Sequence, residues 1–274
     1  MDDRVRILCL GDVVGRPGRK VLGDTLLPLR RSLGLDFVIA NGENASGGIG
    51  LTASGMRELF AAGVDCITSG NHIWRHKEIF PFLHNEPRLL RPYNYGERAP
   101  GKGFTVLETA AGFRIAVLNL IGRVFMEPVD CPFAAADEAL ALLAGQSPDC
   151  IIVDFHAEAS SEKRAMAHHL DGRSGAVLGT HTHVQTADAF VSASGTASLT
   201  DLGMCGVEEA SVIGMSTQKI LKRFTTCLPQ PFIPEKGNAT LNGALIEVDK
   251  KTGKALCILP LRGNGPQILA LVEQ

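Results

Sequence analysis

Short apolar runs alternate with amphipathic segments through the first two thirds of the chain. Val5–Leu10, Asp36–Asn41, Asp65–Ser69, Arg114–Leu120, Cys150–Phe155 and Gly175–Gly179 are short, continuous and rich in Val, Ile and Leu. Each predicts a strand buried on both faces. Between them, Arg19–Leu33, Thr52–Ala62, Ala134–Leu143 and Ser160–Leu170 carry apolar residues at helical spacing, and Ser160-Ser161-Glu162-Lys163 reads as a capped helix start. This alternation is that of a sheet fed by crossover helices. The last third is β-rich at Phe190–Asp201, Leu241–Asp249 and Ala255–Arg262, with Lys250, Lys251 and Gly253 placed for a hairpin turn. Two packed sheets with outer helices follow. No repeat, low-complexity tract or long linker intervenes, so residues 1–274 read as one domain and Leu228–Pro234 as a surface loop.

Polar residues gather where the predicted strands end. Asp12 follows the first strand, Glu43 and Asn44 the second, Asn71 and His72 the third, His156 the run ending at Phe155, and His181 and His183 the run ending near Gly179. Ligands of open α/β sheets bind outside the carboxyl ends of the strands, so five loops distant in sequence are expected to converge on one crevice. Gly11, Gly42, Gly70 and Gly179 flank these positions, where a Cβ would hinder sharp turns or close approach. Carboxylates, amide oxygens and imidazoles form a mixed oxygen and nitrogen ligand set that needs no thiolate. It exceeds the four ligands of one tetrahedral zinc and suits two adjacent divalent first-row ions, Mn²⁺ or Fe²⁺, bridged by a carboxylate. For any one histidine, a backbone hydrogen bond in the interior is the alternative.

Composition narrows the partners. The 274 residues are 45% hydrophobic and 20% charged, enough for a real core, which excludes a disordered or fibrous chain. With 27 Lys and Arg against 29 Asp and Glu, the net charge of −2 offers no footprint for extended nucleic acid or an anionic membrane, so any nucleotide ligand is small. No run reaches the roughly 18 apolar residues of a membrane span, and the acidic start Met1-Asp2-Asp3-Arg4 is unlike a signal peptide, so a cytoplasmic location is expected. The seven Cys lack a Cys-x-x-Cys pair, and Cys9, Cys66, Cys150 and Cys257 sit in apolar runs, which predicts reduced, buried thiols.

Gly11-Asp12, Gly70-Asn71-His72 and His181-Thr182-His183 resemble the motifs of the calcineurin-like metallophosphoesterase superfamily. The longer segments Gly11–Arg19, Asn41-Gly42-Glu43-Asn44, Gly70–Trp74, Arg91–Tyr95, Gly122–Met126 and Asp154–Glu158 are similar to the bacterial YmdB-type phosphodiesterases, over most of the chain from Ile7 to the Leu241-Asn242-Gly243 region. The resemblance implies a four-layer sandwich, with two central β-sheets flanked by helices. It also implies that Asp12, Glu43, Asn44 and His183 hold one ion and Glu43, Asn71, His156 and His181 the other. Position 14, where the wider superfamily has His, is Val, and Cys205 stands where Thr is expected in the loop Thr200–Gly206.

The activity implied is hydrolysis of 2′,3′-cyclic nucleotides such as 2′,3′-cAMP to nucleoside monophosphates by metal-activated hydroxide. His72, beside a ligand but not one itself, is then the proton donor to the leaving alkoxide. Trp74, Tyr93, Tyr95 and Phe125 are the aromatics placed to stack on a base, with core packing as the alternative role. Arg16 and Arg19 are candidates for a phosphate contact or plain surface charge. His76, His84, His168 and His169 are given no role. A phosphomonoesterase or nucleotidase, or a regulatory nucleotide-binding protein with a metal scaffold, are the competing functions. A homo-oligomer is compatible with surface hydrophobics such as Phe80, Phe82 and Leu83.

Overall fold

The computed structural model describes residues 3–272. Its strands, in chain order, are β1 (Arg4–Val13), β2 (Phe37–Asn41), β3 (Cys66–Thr68), β4 (Phe104–Glu108), β5 (Arg114–Ile121), β6 (Cys150–His156), β7 (Ala176–Thr180), β8 (Phe190–Val191), β9 (Ala197–Leu199), β10 (Met204–Cys205), β11 (Ser211–Val212), β12 (Met215–Ser216), β13 (Leu241–Asp249) and β14 (Ala255–Gly263). The α-helices are α1 (Gly15–Leu33), α2 (Ala53–Ala62), α3 (Phe80–Asn85), α4 (Pro132–Ala144), α5 (Ser160–His169), α6 (Thr217–Thr226) and α7 (Gly265–Val272).

One sheet runs β14-β13-β1-β2-β3 with β10 beside the end of β1, and the other runs β4-β5-β6-β7-β9-β8. Alternation along the strands assigns the layers, because successive side chains point to opposite faces. Val5, Ile7 and Cys9 of β1 join Ile115, Val117, Ile152 and Leu178 in a core between the sheets. Leu8 and Leu10 face the other way, onto Leu22, Leu26, Leu29 and Leu33 of α1 and Leu59 of α2. On the far side Leu118, Leu120, Val153 and Phe155 pack against Ala135 and Ala139 of α4 and Met166 of α5. The result is the expected four-layer sandwich. Each fully buried Leu in the α1 stripe contributes about 1.5–3 kcal/mol relative to exposure. No helix among the described residues is long and apolar enough to cross a membrane.

Several local expectations change. Helix α1 starts at Gly15, four residues before the predicted Arg19, because Pro17 and Gly18 fit its first turn. The start of α5 carries no side-chain cap: its N-cap is Ala159, while Glu162 is turned inward to accept from the N–H groups of Arg123 and Val124. Cys257 is exposed, since it lies on the edge strand β14 with its side chain outward; Cys9, Cys66, Cys150 and Cys205 are buried, and all seven thiols are free. Phe80, Phe82 and Leu83 are no surface patch. Leu83 is fully buried and both Phe rings pack partly buried against the α1–α2 core.

Candidate metal centre

Strands β1, β2 and β3 of one sheet and β6 and β7 of the other end at a common edge, and the residues that follow them meet there. Gly70 permits the approach: a Cβ on it would stand 2.2 Å from the His156 ring and 2.4 Å from a Glu43 oxygen. Asp12, Glu43, Asn44, His156 and His183 are buried; Asn71, His72 and His181 are partly so.

Most of the atoms that converge are ones that accept, with the Asn44 amide nitrogen the donor among them. Glu43, His156 and His181 offer ligand atoms all within 4.8 Å of one another. His156 Nε2 faces His181 Nδ1 at 3.0 Å, Asn71 Oδ1 at 3.3 Å and Glu43 Oε2 at 3.3 Å. At most a proton or two can be shared among these four acceptors. Next to them, His183 Nε2 faces Asp12 Oδ1 at 3.7 Å and Asn44 Nδ2 at 3.2 Å. Asp12 Oδ1 is buried without a hydrogen-bond partner, while its other oxygen accepts from the His181 N–H at 3.0 Å. An orphaned buried carboxylate oxygen is costly, and a cation is the group that satisfies it. The donor set therefore fits divalent first-row ions.

Tautomers are fixed from behind. His183 Nδ1 lies 2.9 Å from the carbonyl oxygen of Ile213, which only accepts, so that nitrogen carries the proton and Nε2 presents its lone pair to the centre. His156 Nδ1 faces Thr180 Oγ1 at 2.9 Å, and the Thr180 hydroxyl donates to Asp154 Oδ1 at 2.7 Å. Asp154 is two residues before His156 on β6, hence on the same face. Asn41 Nδ2 and Thr68 Oγ1 also donate to it. The loop after β7 is held in an uncommon shape: His181 and His183 have φ of 99° and 65°, left-handed values that a non-glycine residue rarely adopts. Asp201 anchors that loop by accepting from Thr182 N, Thr182 Oγ1 and the buried Lys163 Nζ, the last at 2.6 Å.

Electrostatics follow from burial and crowding. Burial pushes the Asp12 carboxyl up to about 6, against the pull of His183 and His156. Glu43, despite burial, is held well below the usual carboxylate range by the charge and hydrogen bond of His156 and by His72. Burial disfavours charge on His156, but Glu43 and Asp12 raise it to about 9, and burial together with charged His156 lowers His181 to about 3.

His72 is set apart from the cluster. Its backbone N–H donates to Glu43 Oε2 at 3.0 Å, and its Nδ1 faces Asn44 Oδ1 at 2.8 Å and Glu43 Oε1 at 3.2 Å. Its other ring nitrogen has no partner among the described residues, and the half-buried ring lines a cavity of about 260 Å³ with Glu43, Asn44, His181 and His183. Burial lowers the His72 pKa, but the hydrogen bond and charge of Glu43 outweigh it, so the net direction is up.

None of the four candidate stacking aromatics lines this cavity. Trp74 is held edge-on between Phe80 and Tyr95, and Tyr93 and Tyr95 line a separate pocket beside Cys131 and Glu138. Phe125 is 89% exposed, outside the cavity. Arg19 is committed to Glu58 and to the Ala45 carbonyl. Val14, at the position of the absent histidine, packs with Met204, Met215 and Ile220, and Cys205 lies in the core with its thiol toward the Asn242 carbonyl, away from the cavity. Asp154, Thr180, Asp201 and Lys163 hold the candidate ligands or their loop in place, which the sequence reading misses; the even spacing of Asp154 and His156 is the available sign.

The chain matches the YmdB-like protein family over residues 8–261. A 2′,3′-cyclic-nucleotide 2′-phosphodiesterase of Bacillus subtilis (strain 168) is 48% identical over 254 residues, 93% of this chain and 95% of that protein. Among solved structures, a hypothetical protein from Thermus thermophilus superposes with a TM-score of 0.87 at 43% identity, covering 95% of this chain and 99% of that one. A novel phosphatase from Mycoplasma pneumoniae superposes with a TM-score of 0.89 at 34% identity, covering 100% of this chain and 98% of that one.

Proposed function

The chain belongs to the YmdB-like protein family, and from that premise we propose that it is a metal-dependent phosphodiesterase that opens 2′,3′-cyclic nucleotides to nucleoside monophosphates. The observation that carries this is the partnerless Asp12 Oδ1 beside the Glu43, His156 and His181 cluster, of which Glu43 and His181 line one cavity. Asp12, Glu43, Asn44 and His183 are the residues to hold one ion, and Glu43, Asn71, His156 and His181 the other, with Fe or Mn suited to the donors. Bound there, such a pair supplies neutralisation of the phosphoryl oxygens and a water of lowered pKa.

The chain's own residues do the rest. Thr180 and Asp154 hold His156, and the Ile213 carbonyl holds His183, so that the imidazole lone pairs point inward. The cyclic phosphate enters the cavity lined by His72. A water oxygen, its proton released to solvent, bonds to phosphorus, the bond from phosphorus to the ribose 2′-oxygen breaks, and His72 gives its proton to that departing oxygen and regains one from solvent. The Nδ1 contacts to Asn44 and Glu43 leave the other nitrogen of His72 for this transfer. The seven free thiols suit a reducing compartment, and we read the enzyme as cytoplasmic.

Elemental analysis of the purified protein beside hydrolysis of 2′,3′-cAMP, with and without added Mn²⁺, tests this. About two ions per chain with metal-dependent turnover is the expected result. An absence of bound metal under every loading condition, or metal with turnover of phosphomonoesters alone, contradicts it.

A further inference from the structure

One wall of the cavity is apolar and comes mainly from a single excursion of the chain. Ile49, Ile213, Met215 and Phe232 line it, the last three from the segment between β10 and β13. Ile213 and Gly214 form the two-residue turn of the β11–β12 hairpin, with φ of 45° and 90°. Positive φ at both central residues is the geometry that Asn-Gly ordinarily fills, and a β-branched residue is strained there. Ile213 nonetheless remains 48% exposed at the cavity edge. Strain and apolar exposure both cost stability, and their coincidence beside the His183 contact points to use in ligand binding.

Phe232 is held in place from three sides. Ser216 N donates to the Ile233 carbonyl at 2.8 Å, and Glu235 N donates to the Gly214 carbonyl at 2.9 Å. Pro234 seats against Gly15 and Gly48, where a Cβ on either would stand 2.8 Å from its ring. The Arg223 guanidinium lies 5.0 Å from the centre of the Phe232 ring, yet the residue stays 44% exposed and lines the cavity. The predicted surface loop Leu228–Pro234 thus lends one side chain to the site.

We propose that Ile213 and Phe232 form the specificity-determining wall for the nucleobase of the substrate, Phe232 by stacking and Ile213 by closing the apolar face beside His183. The assignment rests on the cyclic-nucleotide activity proposed above. Every base has a π-face, so the wall accepts purines and pyrimidines, whereas a sugar phosphate without a base gains nothing from it.

Steady-state kinetics of the metal-loaded full chain test this with two substrates, 2′,3′-cAMP and the 2′,3′-cyclic phosphate of methyl ribofuranoside, which lacks a base. The wild type is expected to prefer 2′,3′-cAMP, and Phe232→Ala to raise its KM about tenfold while moving the base-less substrate far less. Phe232→Tyr is expected to restore the preference. Ile213→Asn suits the turn, so it is expected to hold or raise the melting temperature while KM for 2′,3′-cAMP rises about threefold. Equal losses on both substrates in Phe232→Ala give that residue a structural role and overturn the wall. A wild type that hydrolyses both substrates equally overturns the wall alone, and one that hydrolyses neither overturns the proposed activity together with it.

Discussion

Thr180 donates its hydroxyl to Asp154 Oδ1 at 2.7 Å while facing His156 Nδ1 at 2.9 Å, so a buried carboxylate orients an imidazole of the candidate centre through one intervening side chain. Outer partners of this type fix both the tautomer and the direction of the ring, and losing one typically costs about 10–100-fold in metal affinity. Thr180→Val keeps the shape and removes the link. It is expected to weaken metal binding by about that factor with the fold retained, measured by titration against a competing chelator. Unaltered affinity would show that packing alone holds His156.

Lys163 and Asp201 form a buried ion pair behind the loop that carries His181 and His183. Removing one partner leaves the other charge uncompensated, at a cost of about 3–5 kcal/mol. Lys163→Met is therefore expected to lower the denaturation midpoint in urea by the equivalent of about 3 kcal/mol, because three other donors remain on Asp201. A midpoint within error of the wild type contradicts the pairing.

The Asp12 carboxyl, raised to about 6 by burial, binds a proton more tightly in the folded metal-free protein than in the unfolded chain. The group therefore favours folding below its ordinary pKa, and that contribution is lost as pH rises through about 6. At pH 7, metal-free Asp12→Asn is expected to melt at or above the wild-type temperature, since the neutral amide removes an unpaired buried charge. Added Mn²⁺ raises the melting temperature of the wild type by mass action and should fail to do so in the variant. Scanning calorimetry on both proteins, stripped and loaded, reads the two signs; a metal-free variant that melts well below wild type refutes the account.

His72→Ala removes the proposed proton donor, together with its ring contacts to Asn44 and Glu43, while every proposed metal ligand stays in place. Turnover of 2′,3′-cAMP should fall by roughly 10²–10⁴, chiefly in kcat, with the metal content unchanged. Loss of an ion from the purified variant would instead make His72 a ligand. A leaving group that needs no protonation, such as p-nitrophenolate, is expected to recover much of the rate, which a structural role for His72 would not allow.

The sequence alone determined the layers and the edge at which the candidate site gathers, because both are written in short-range periodicity. Apolar runs and stripes at helical spacing located β1, β2, β3, β5, β6 and β7 with α1, α2, α4 and α5, and the polar residues after β1, β2, β3, β6 and β7 marked one end of the two sheets. Weakly buried elements escaped: β4 is half-buried along its length, and α6 has one buried residue, Ile220, although Ile220, Leu221 and Phe224 carry a helical spacing. What tertiary structure decided is how the site is held. The contacts that orient it join residues far apart in the chain, His181 to Asp12 across 169 positions and His183 to Ile213 across 30. Periodicity reports which face a side chain takes, whereas the direction of an imidazole lone pair, the left-handed turns at His181 and His183, and the identity of an apolar wall arise only when distant segments compete for the same hydrogen bonds and the same space.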